Sequence, residues 1–489
     1  MKPDIEPLLT EPPSAAGAPA GSHLVDAGLR RGVLPTAELM AQAIANIAPS
    51  AVVAFIPAAI YTTATNGTWL SFLFATIVIL AVGYCVAQFA KRRATAGSLY
   101  SYASYGLGPL GAYITGVTLV IGCFGIAAGS LSGCVSYFIL LLDQIGISLS
   151  GLGAQIVLVI LIGSLATLLT IRGIRISART ALVLELVSIT IITFVLIFAL
   201  LKHPGGVFDK QQITFDGVAG GGIATGMVLA ILGFVGFSSA DALGREARDP
   251  FKAIPRAIMF SALGVGLLYV FASYAQVTLL GEKLDGNFAP MDQIAVNAGM
   301  PSWFKPILTF GITASFFAVV VAPINVIGRI VYVMGKEGVA PDALGRTHGE
   351  HLTPHRAILV IAPLVLLVDI VLYVAGASMD EVLVWVDTFG TYGYMIAYAV
   401  LAIATPVFLK GIGARSSLVT LAATVAVLAM AYVFYKNVYP VPEFPLNVIP
   451  YIFLAVVAGA LLWYAHLKRN RPHAVAAIGT LETDVLDNI

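Results

Sequence analysis

An all-α integral membrane fold of about twelve transmembrane helices is the fold class this sequence predicts, and three observations predict it. The 489 residues are 58% hydrophobic and 11% charged, with a mean hydropathy of +0.92. Soluble domains carry roughly 25% charged residues, so lipid has to cover much of this surface. The apolar residues fall into runs of about 20, the length of a helix that crosses a bilayer. Lys and Arg then alternate between abundant and scarce from one connecting segment to the next.

The spans are expected at 36–64, 68–90, 108–140, 154–171, 180–201, 222–243, 256–280, 304–334, 357–376, 380–408, 416–436 and 447–467. The third and eighth are long enough to imply tilt or extension beyond the lipid. Residues 1–30 are rich in Pro, Ala and Gly and have no apolar core. They read as a disordered cytoplasmic tail, not a cleavable signal peptide. Residues 468–489 read as a second cytoplasmic tail. With the N-terminus inside, the inner segments hold 21 of the 27 Lys and Arg, the outer ones hold 5, and Arg329 lies within a span. That bias favours an even number of crossings with both termini cytoplasmic, in a plasma membrane or a bacterial inner membrane.

Several function classes lose support at this level. Net charge is +1 and no basic tract stands outside the short turns, so no nucleic-acid partner is expected. Cys85, Cys123 and Cys134 all lie inside apolar runs and read as packing residues. His348, His351 and His355 share one turn, but Gly349 and Pro354 among them describe a loop and not a metal-ligand face. No cofactor or metal is expected. The chain has no G-x-x-x-x-G-K-[ST] loop, which argues against ATP drive, and no convergent nucleophile and base, which argues against an enzyme.

Two spans are interrupted. The first reads Ala48-Pro49-Ser50-Ala51-Val52, where Pro49 lacks a backbone donor and disfavours the α region at Ala48. The sixth reads Gly233-Phe234-Val235-Gly236-Phe237-Ser238, where two glycines weaken the helix. Pro and Gly are common in membrane helices and mark kinks or close packing. The pair, however, falls in spans one and six. Five is odd, so a second set of five spans has inverted orientation, and matching breaks point to a transport site at the bilayer midplane. The core 31–408 then divides into repeats at about 31–203 and 216–408, and 409–467 adds helices 11 and 12. A half-helix starting after Pro49 offers the N–H groups of Ser50, Ala51 and Val52 to a carboxylate. A half-helix ending near Gly233 offers the carbonyls of Gly233, Phe234 and Val235 to an ammonium. Both ends together suit a zwitterion.

Four segments resemble the amino acid–polyamine–organocation (APC) superfamily of permeases. Ile47-Ala48-Pro49-Ser50 looks like its unwound first helix. Ala96 to Tyr102, with Gly106 to Pro109, looks like the turn before its third. Gly236-Phe237, with Glu246 to Pro250 and Ile254 to Ala257, looks like its sixth helix and the loop after it. Arg329 to Pro341 looks like the end of its eighth. The resemblance implies a five-plus-five inverted repeat and a secondary active amino acid permease working by alternating access. It also implies that Phe234 or Phe237 closes over the substrate, with ordinary packing as the alternative. Where the family often has an acid after the Gly-Phe of helix six, this chain has Ser238. Where many proton-coupled members carry a helix-five Lys, it has Glu185.

Ionisable groups inside spans default to functional hypotheses. Four were singled out: Glu185, Asp241, Arg329 and Asp369. Carboxyls removed from water exchange protons more readily near neutral pH, which makes Glu185 a candidate coupling group, or else a buried packing carboxyl. Asp241 either binds a substrate ammonium or pairs with Arg245 one turn on. Arg329 reads as snorkelling to the inner interface. Asp369 reads as peripheral. Thr313, Ser315 and Asn325 offer oxygens on span eight, so sodium stands behind protons as coupling ion. A polyamine exchanger would want more acid in the site than Asp241 alone. A substrate sensor in the permease fold is a further alternative. The amino acid itself and the oligomeric state are not readable at this level.

Overall fold

The computed structural model describes residues 29, 31–218, 220–287, 289–479 and 483–485. The expected N-terminal tail, 1–28 and 30, lies outside them. The chain is nearly all helical. It opens with α1 (Thr36–Ile47), α2 (Pro49–Ala64), α3 (Thr68–Ala90), a short strand β1 (Arg93–Thr95) and the long α4 (Ser98–Gln144). Next come α5 (Leu152–Arg172), α6 (Ile174–Lys202), α7 (Lys210–Ile213) and α8 (Gly220–Leu232). A 3-10 turn (Ser239–Leu243) leads to α9 (Pro250–Leu280), α10 (Pro290–Asn297), α11 (Phe304–Lys336) and α12 (His355–Val374). The chain closes with α13 (Met379–Gly411), α14 (Ser417–Val438), α15 (Ile449–Asn470), α16 (Pro472–Ala477) and a strand β2 (Thr483–Val485).

Among the described residues, ten helical stretches are long and apolar enough to cross a membrane. The difference from twelve expected spans has two physical sources. Thr36–Ala90 forms one apolar stretch of 55 residues that contains α1, α2 and α3, and the sixth expected span is cut short, leaving only Gly221–Leu232 as apolar helix. The sequence placed the start of span three at 108. There Gly108 takes φ 67° and splits α4 into an arm, Ser98 to Leu107, and the long helix after it.

Burial sorts the helices. The apolar windows of α4 and α11 are 78% and 83% buried, while those of α14 and α15 are 28% and 17%. The first two are therefore interior to the bundle and the last two lie at its edge, as does α5, whose window is also 28% buried. α4 runs alongside α13, and α11 packs on both α4 and α6.

Both breaks are present. Ala48 sits in the left-handed region, φ 54° and ψ 57°, between α1 and α2. That conformation is unfavourable for an L-residue with a side chain. Pro49, at the first position of α2, needs no backbone donor there. At the second break Gly236 has φ 89°, and an added Cβ would lie 2.3 Å from Asn46 Nδ2. Only glycine lets the two breaks approach this closely.

The tail expected to be disordered over 468–489 carries structure at 472–477 and 483–485. Ala474, Val475 and Ile478 are buried, Trp463 Nε1 donates to the Val339 carbonyl at 3.1 Å, and β2 pairs antiparallel with β1. The apolar residues are too few to make a period, which is why composition alone reads this segment as a tail.

Candidate functional site

A cavity of about 170 Å³ lies between the two breaks. Ala48, Ala51 and Val52 line it from the first break, and Gly233 and Val235 from the second. Ile126 and Ser130 of α4, Phe316 and Val319 of α11, and Leu383, Asp387 and Thr391 of α13 complete the wall. A vestibule of about 250 Å³ shares Phe55, Leu383 and Val384 with it and reaches Asp292 on α10, Tyr137 on α4 and Asp380 at the start of α13. The second cavity lies towards one end of the bundle and shares that wall with the first.

Towards the other end, the end holding the described Arg-rich turns, it is sealed by buried polar contacts. Arg329 grips Glu246 through Nε at 2.7 Å and Nη2 at 3.0 Å, and its Nη1 donates to the Asn325 carbonyl at 2.8 Å. The Glu246 carbonyl accepts from Val33 and Leu34 at 2.8 and 2.9 Å, which clips the segment before α1 to the loop after the second break. Gln42 donates to the Ala322 carbonyl at 2.9 Å, and Tyr100 hydrogen bonds Glu337. Arg329 does not snorkel. Its partner lies 83 residues away in sequence, so the pair is invisible to local reading.

The backbone groups at the first break are not free, contrary to the expectation. Ser50 N–H donates to Glu185 Oε1 at 3.2 Å, Ala51 N–H to Ser315 Oγ at 3.3 Å, and Val52 N–H to the Ala48 carbonyl at 3.0 Å. Helix N-termini favour an anion, and here a carboxylate of the protein takes that place. At the second break Tyr269 donates to the Gly233 carbonyl at 2.8 Å, and Phe237 N–H to the Phe234 carbonyl at 3.2 Å. Buried backbone groups need partners, and the closed bundle supplies them from neighbouring helices.

The expected site residues therefore divide. Ala48, Ala51, Val52, Gly233 and Val235 line the cavity. Pro49, Ser50, Gly236 and Ser238 stand behind it, with Gly236 N–H donating to Tyr398 Oη at 3.2 Å and its carbonyl accepting from Asn46 Nδ2 at 3.1 Å. Phe234 and Phe237 are fully buried against Tyr269 and Tyr398, and the aromatic rings on the cavity belong to Phe55 and Phe316. Glu185 is buried behind α2 and reaches the site only through Ser50. Asp241 lies away from the cavity and accepts from Ser98 Oγ at 2.5 Å, instead of pairing with Arg245. Asp369 does not line the cavity, but it is fully buried, and neither carboxyl oxygen has a hydrogen-bond partner among the described residues.

Sequence reasoning missed Asp387. It sits inside the span expected at 380–408, lines the cavity, and its Oδ1 is buried without a partner. An acid inside an apolar span is the mark that singled out Glu185, so the signal was there.

A second, apolar cleft of about 930 Å³ lies between α12, α13 and the chain before α15, with Phe389, Phe444 and Ile452 in its wall. Leu367 and Val371 beside it are more than half exposed, so it opens on the lipid-facing surface. Glu381 is the one charged residue in its otherwise apolar lining, and the smaller cavity at the breaks, which gathers more polar groups, is the candidate site.

Known proteins agree with this architecture. The chain is 25% identical over 315 residues to the branched-chain amino acid permease BcaP of Bacillus subtilis, covering 60% of this chain and 65% of that one. It is 24% identical over 305 residues to the low-affinity putrescine importer PlaP of Escherichia coli K12, covering 61% and 66%. The fold is similar to that of a Na+-coupled sialic acid symporter in a substrate-bound outward-open state, with a TM-score of 0.53 and 14% identity over 84% of this chain and 91% of that one. The family described as amino acid permease matches residues 38–470, and the chain belongs to that family.

Proposed function

We propose that this chain is a secondary active transporter that moves an amino acid or a related amine by alternating access. The carrying observation is the cavity between two broken helices, with a second cavity beside it towards one end of the bundle and the buried Arg329–Glu246 pair towards the other. A single site with one open and one closed side is what alternating access requires. The Arg-rich, sealed end is the cytoplasmic one on the positive-inside rule, with both termini there and twelve crossings of the plasma membrane. The bundle of spans one, two, six and seven (α1 to α3, α8 and α9) rocks against spans three, four, eight and nine (α4, α5, α11 and α12) around the breaks.

Glu185 is the coupling group in this reading, and the proton is the coupling ion. It stands on α6 and bonds the first turn of α2, so its protonation state bears on whether those helices stay together. Sodium is the second reading, favoured by one observation: the side-chain oxygens of Glu185, Ser50 and Ser315 gather, buried, at the first break.

Reconstituted protein tests the proposal. Uptake or counterflow of radiolabelled amino acids and amines into proteoliposomes, driven by a pH or a sodium gradient, is the expected result. Ligand binding without counterflow would make the chain a sensor, and the absence of both would overturn the proposal.

A further inference from the structure

The geometry points to a phospholipid site in the apolar cleft between α12, α13 and the chain before α15, taken by a lipid whose head carries a primary ammonium. The site is separate from the cavity at the breaks, and nothing in the transport reading depends on it.

The cleft lies in one leaflet. Its walls are the end of α12 and the starts of α13 and α15, and those helices carry Arg356, Lys410 and Lys468 at their opposite ends. It is therefore remote from the Arg-rich turns. From Glu381 to Phe389 the wall of α13 rises about 12 Å, less than half of a roughly 30 Å hydrocarbon core.

Along α13 the lining is graded. Glu381, Trp385 and Phe389 follow at four-residue steps and so share one face. Phe124, from the interior helix α4, adds to the apolar wall. Charge, then indole, then hydrocarbon is the order of a phospholipid from head to chains, and indoles favour the headgroup level. The volume of about 930 Å³ is near the upper end of the roughly 300–1,000 Å³ of ligand sites. Water does not fill a hydrocarbon-lined space, and the cleft opens to the bilayer past exposed Leu367, Val371 and Ile452.

Glu381 sets the sign of the head. No Lys, Arg or His lines the cleft, so an anionic head meets only a carboxylate. Glu381 Oε2 accepts from the Ser378 N–H and Oγ at 2.8 Å each, in a capping box that holds the carboxylate in place. An ammonium brings three donors to it. A lipid held here braces α13, whose Leu383, Asp387 and Thr391 line the cavity at the breaks.

The test uses full-length protein with Trp69→Phe, Trp303→Phe and Trp463→Phe, which leaves Trp385 as the one indole. It is reconstituted into phosphatidylcholine vesicles that hold brominated phosphatidylethanolamine or brominated phosphatidylglycerol, since bromine quenches an indole it touches. Half-maximal quenching is expected at an about two- to fivefold lower mole fraction of the ethanolamine lipid, the worth of an exposed ion pair. Glu381→Gln keeps the capping box, which accepts Glu or Gln, and should erase that difference. Val448→Phe narrows the cleft from an exposed position and should weaken quenching by both lipids. Unaltered protein in detergent gives a second readout: phosphatidylethanolamine should raise its thermal midpoint more than phosphatidylglycerol does. Equal responses to the two lipids would overturn the inference. So would quenching indifferent to Val448→Phe, which marks ordinary surrounding lipid. A second copy of the chain seated in the cleft would overturn it too, and would show as Trp385 shielded from bromine and as a smaller particle in light scattering for Val448→Phe.

Discussion

Removing Arg329 should both destabilise the protein and open its sealed end. Arg329 and Glu246 are each 1% exposed, and the guanidinium meets both carboxylate oxygens, at 2.7 and 3.0 Å. Arg329→Met keeps much of the side-chain volume but leaves a buried carboxylate without its cation. Breaking one side of a buried pair costs about 3–5 kcal/mol, because the remaining charge is uncompensated. Arg329→Met with Glu246→Leu removes that charge too, and should recover most of the loss. The first readout is the thermal midpoint of purified protein, which should fall in the single variant and return in the double. The second is thiol labelling of Ser239→Cys, a near-isosteric change at a buried position whose hydroxyl donates to the Gln42 carbonyl at 3.1 Å. Labelling from the Arg-rich side should rise in the Arg329→Met background, relative to a parent holding only buried Cys85, Cys123 and Cys134. An unchanged midpoint in the single variant, or a double no better than the single, would refute the reasoning.

Three further outcomes are expected. Glu185→Gln keeps an acceptor for Ser50 N–H but cannot exchange a proton, so counterflow should survive while stimulation by an imposed pH gradient disappears; a gradient response equal to wild type would exclude Glu185 as the coupling group. Gly236→Ala forces a side chain onto φ 89° against Asn46, at a conformational cost on the order of 2 kcal/mol, and should lower the thermal midpoint and abolish uptake together. Truncation after Arg471 strips buried Ala474, Val475 and Ile478, worth about 3 kcal/mol of apolar burial; the midpoint should drop while ligand affinity, set at the cavity, stays within error.

The architecture was legible wherever one residue type forces one outcome. Pro49 fits the first turn of a helix better than its interior, although Pro57, Pro323 and Pro406 lie within helices, and glycine tolerates the φ of 89° at Gly236, so both breaks could be placed from the sequence. Glu185 was legible because a lone acid in an apolar run is costly. What failed was partner choice. Arg329 finds Glu246 83 positions away, and Ser50 finds Glu185 135 positions away. Such pairings depend on how α11 and α6 stand against the breaks, and no local pattern encodes that. The free N–H groups assumed for Ser50 and Ala51 therefore turned out to be capped. Asp387 was overlooked for another reason: Asp380 and Glu381, close before it, make the start of α13 look like a polar helix end.

The capped N-terminus also gives coupling a physical route. Glu185 stands on α6 and Ser315 on α11, and α6 and α11 pack on each other. Their acceptors hold the first two N–H groups of α2, which belongs with the broken pair. While Glu185 is ionised, its carboxylate is a strong acceptor and favours the helix N-terminus. Protonation turns that oxygen into a weaker acceptor and removes the charge the helix end favours. In the proposed mechanism the bond joining α6 to α2 is the one that a proton loosens, and its loosening frees the half-helix to tilt. A lysine at this position would repel the same helix end and so could not cap it. Replacing Glu185 by Lys should therefore separate α2 from the packed pair of α6 and α11 whatever the proton gradient. Cysteines placed at Ser50 and Ser315 should then cross-link less readily than in the parent. Equal cross-linking would show that the cap does not hold these helices together.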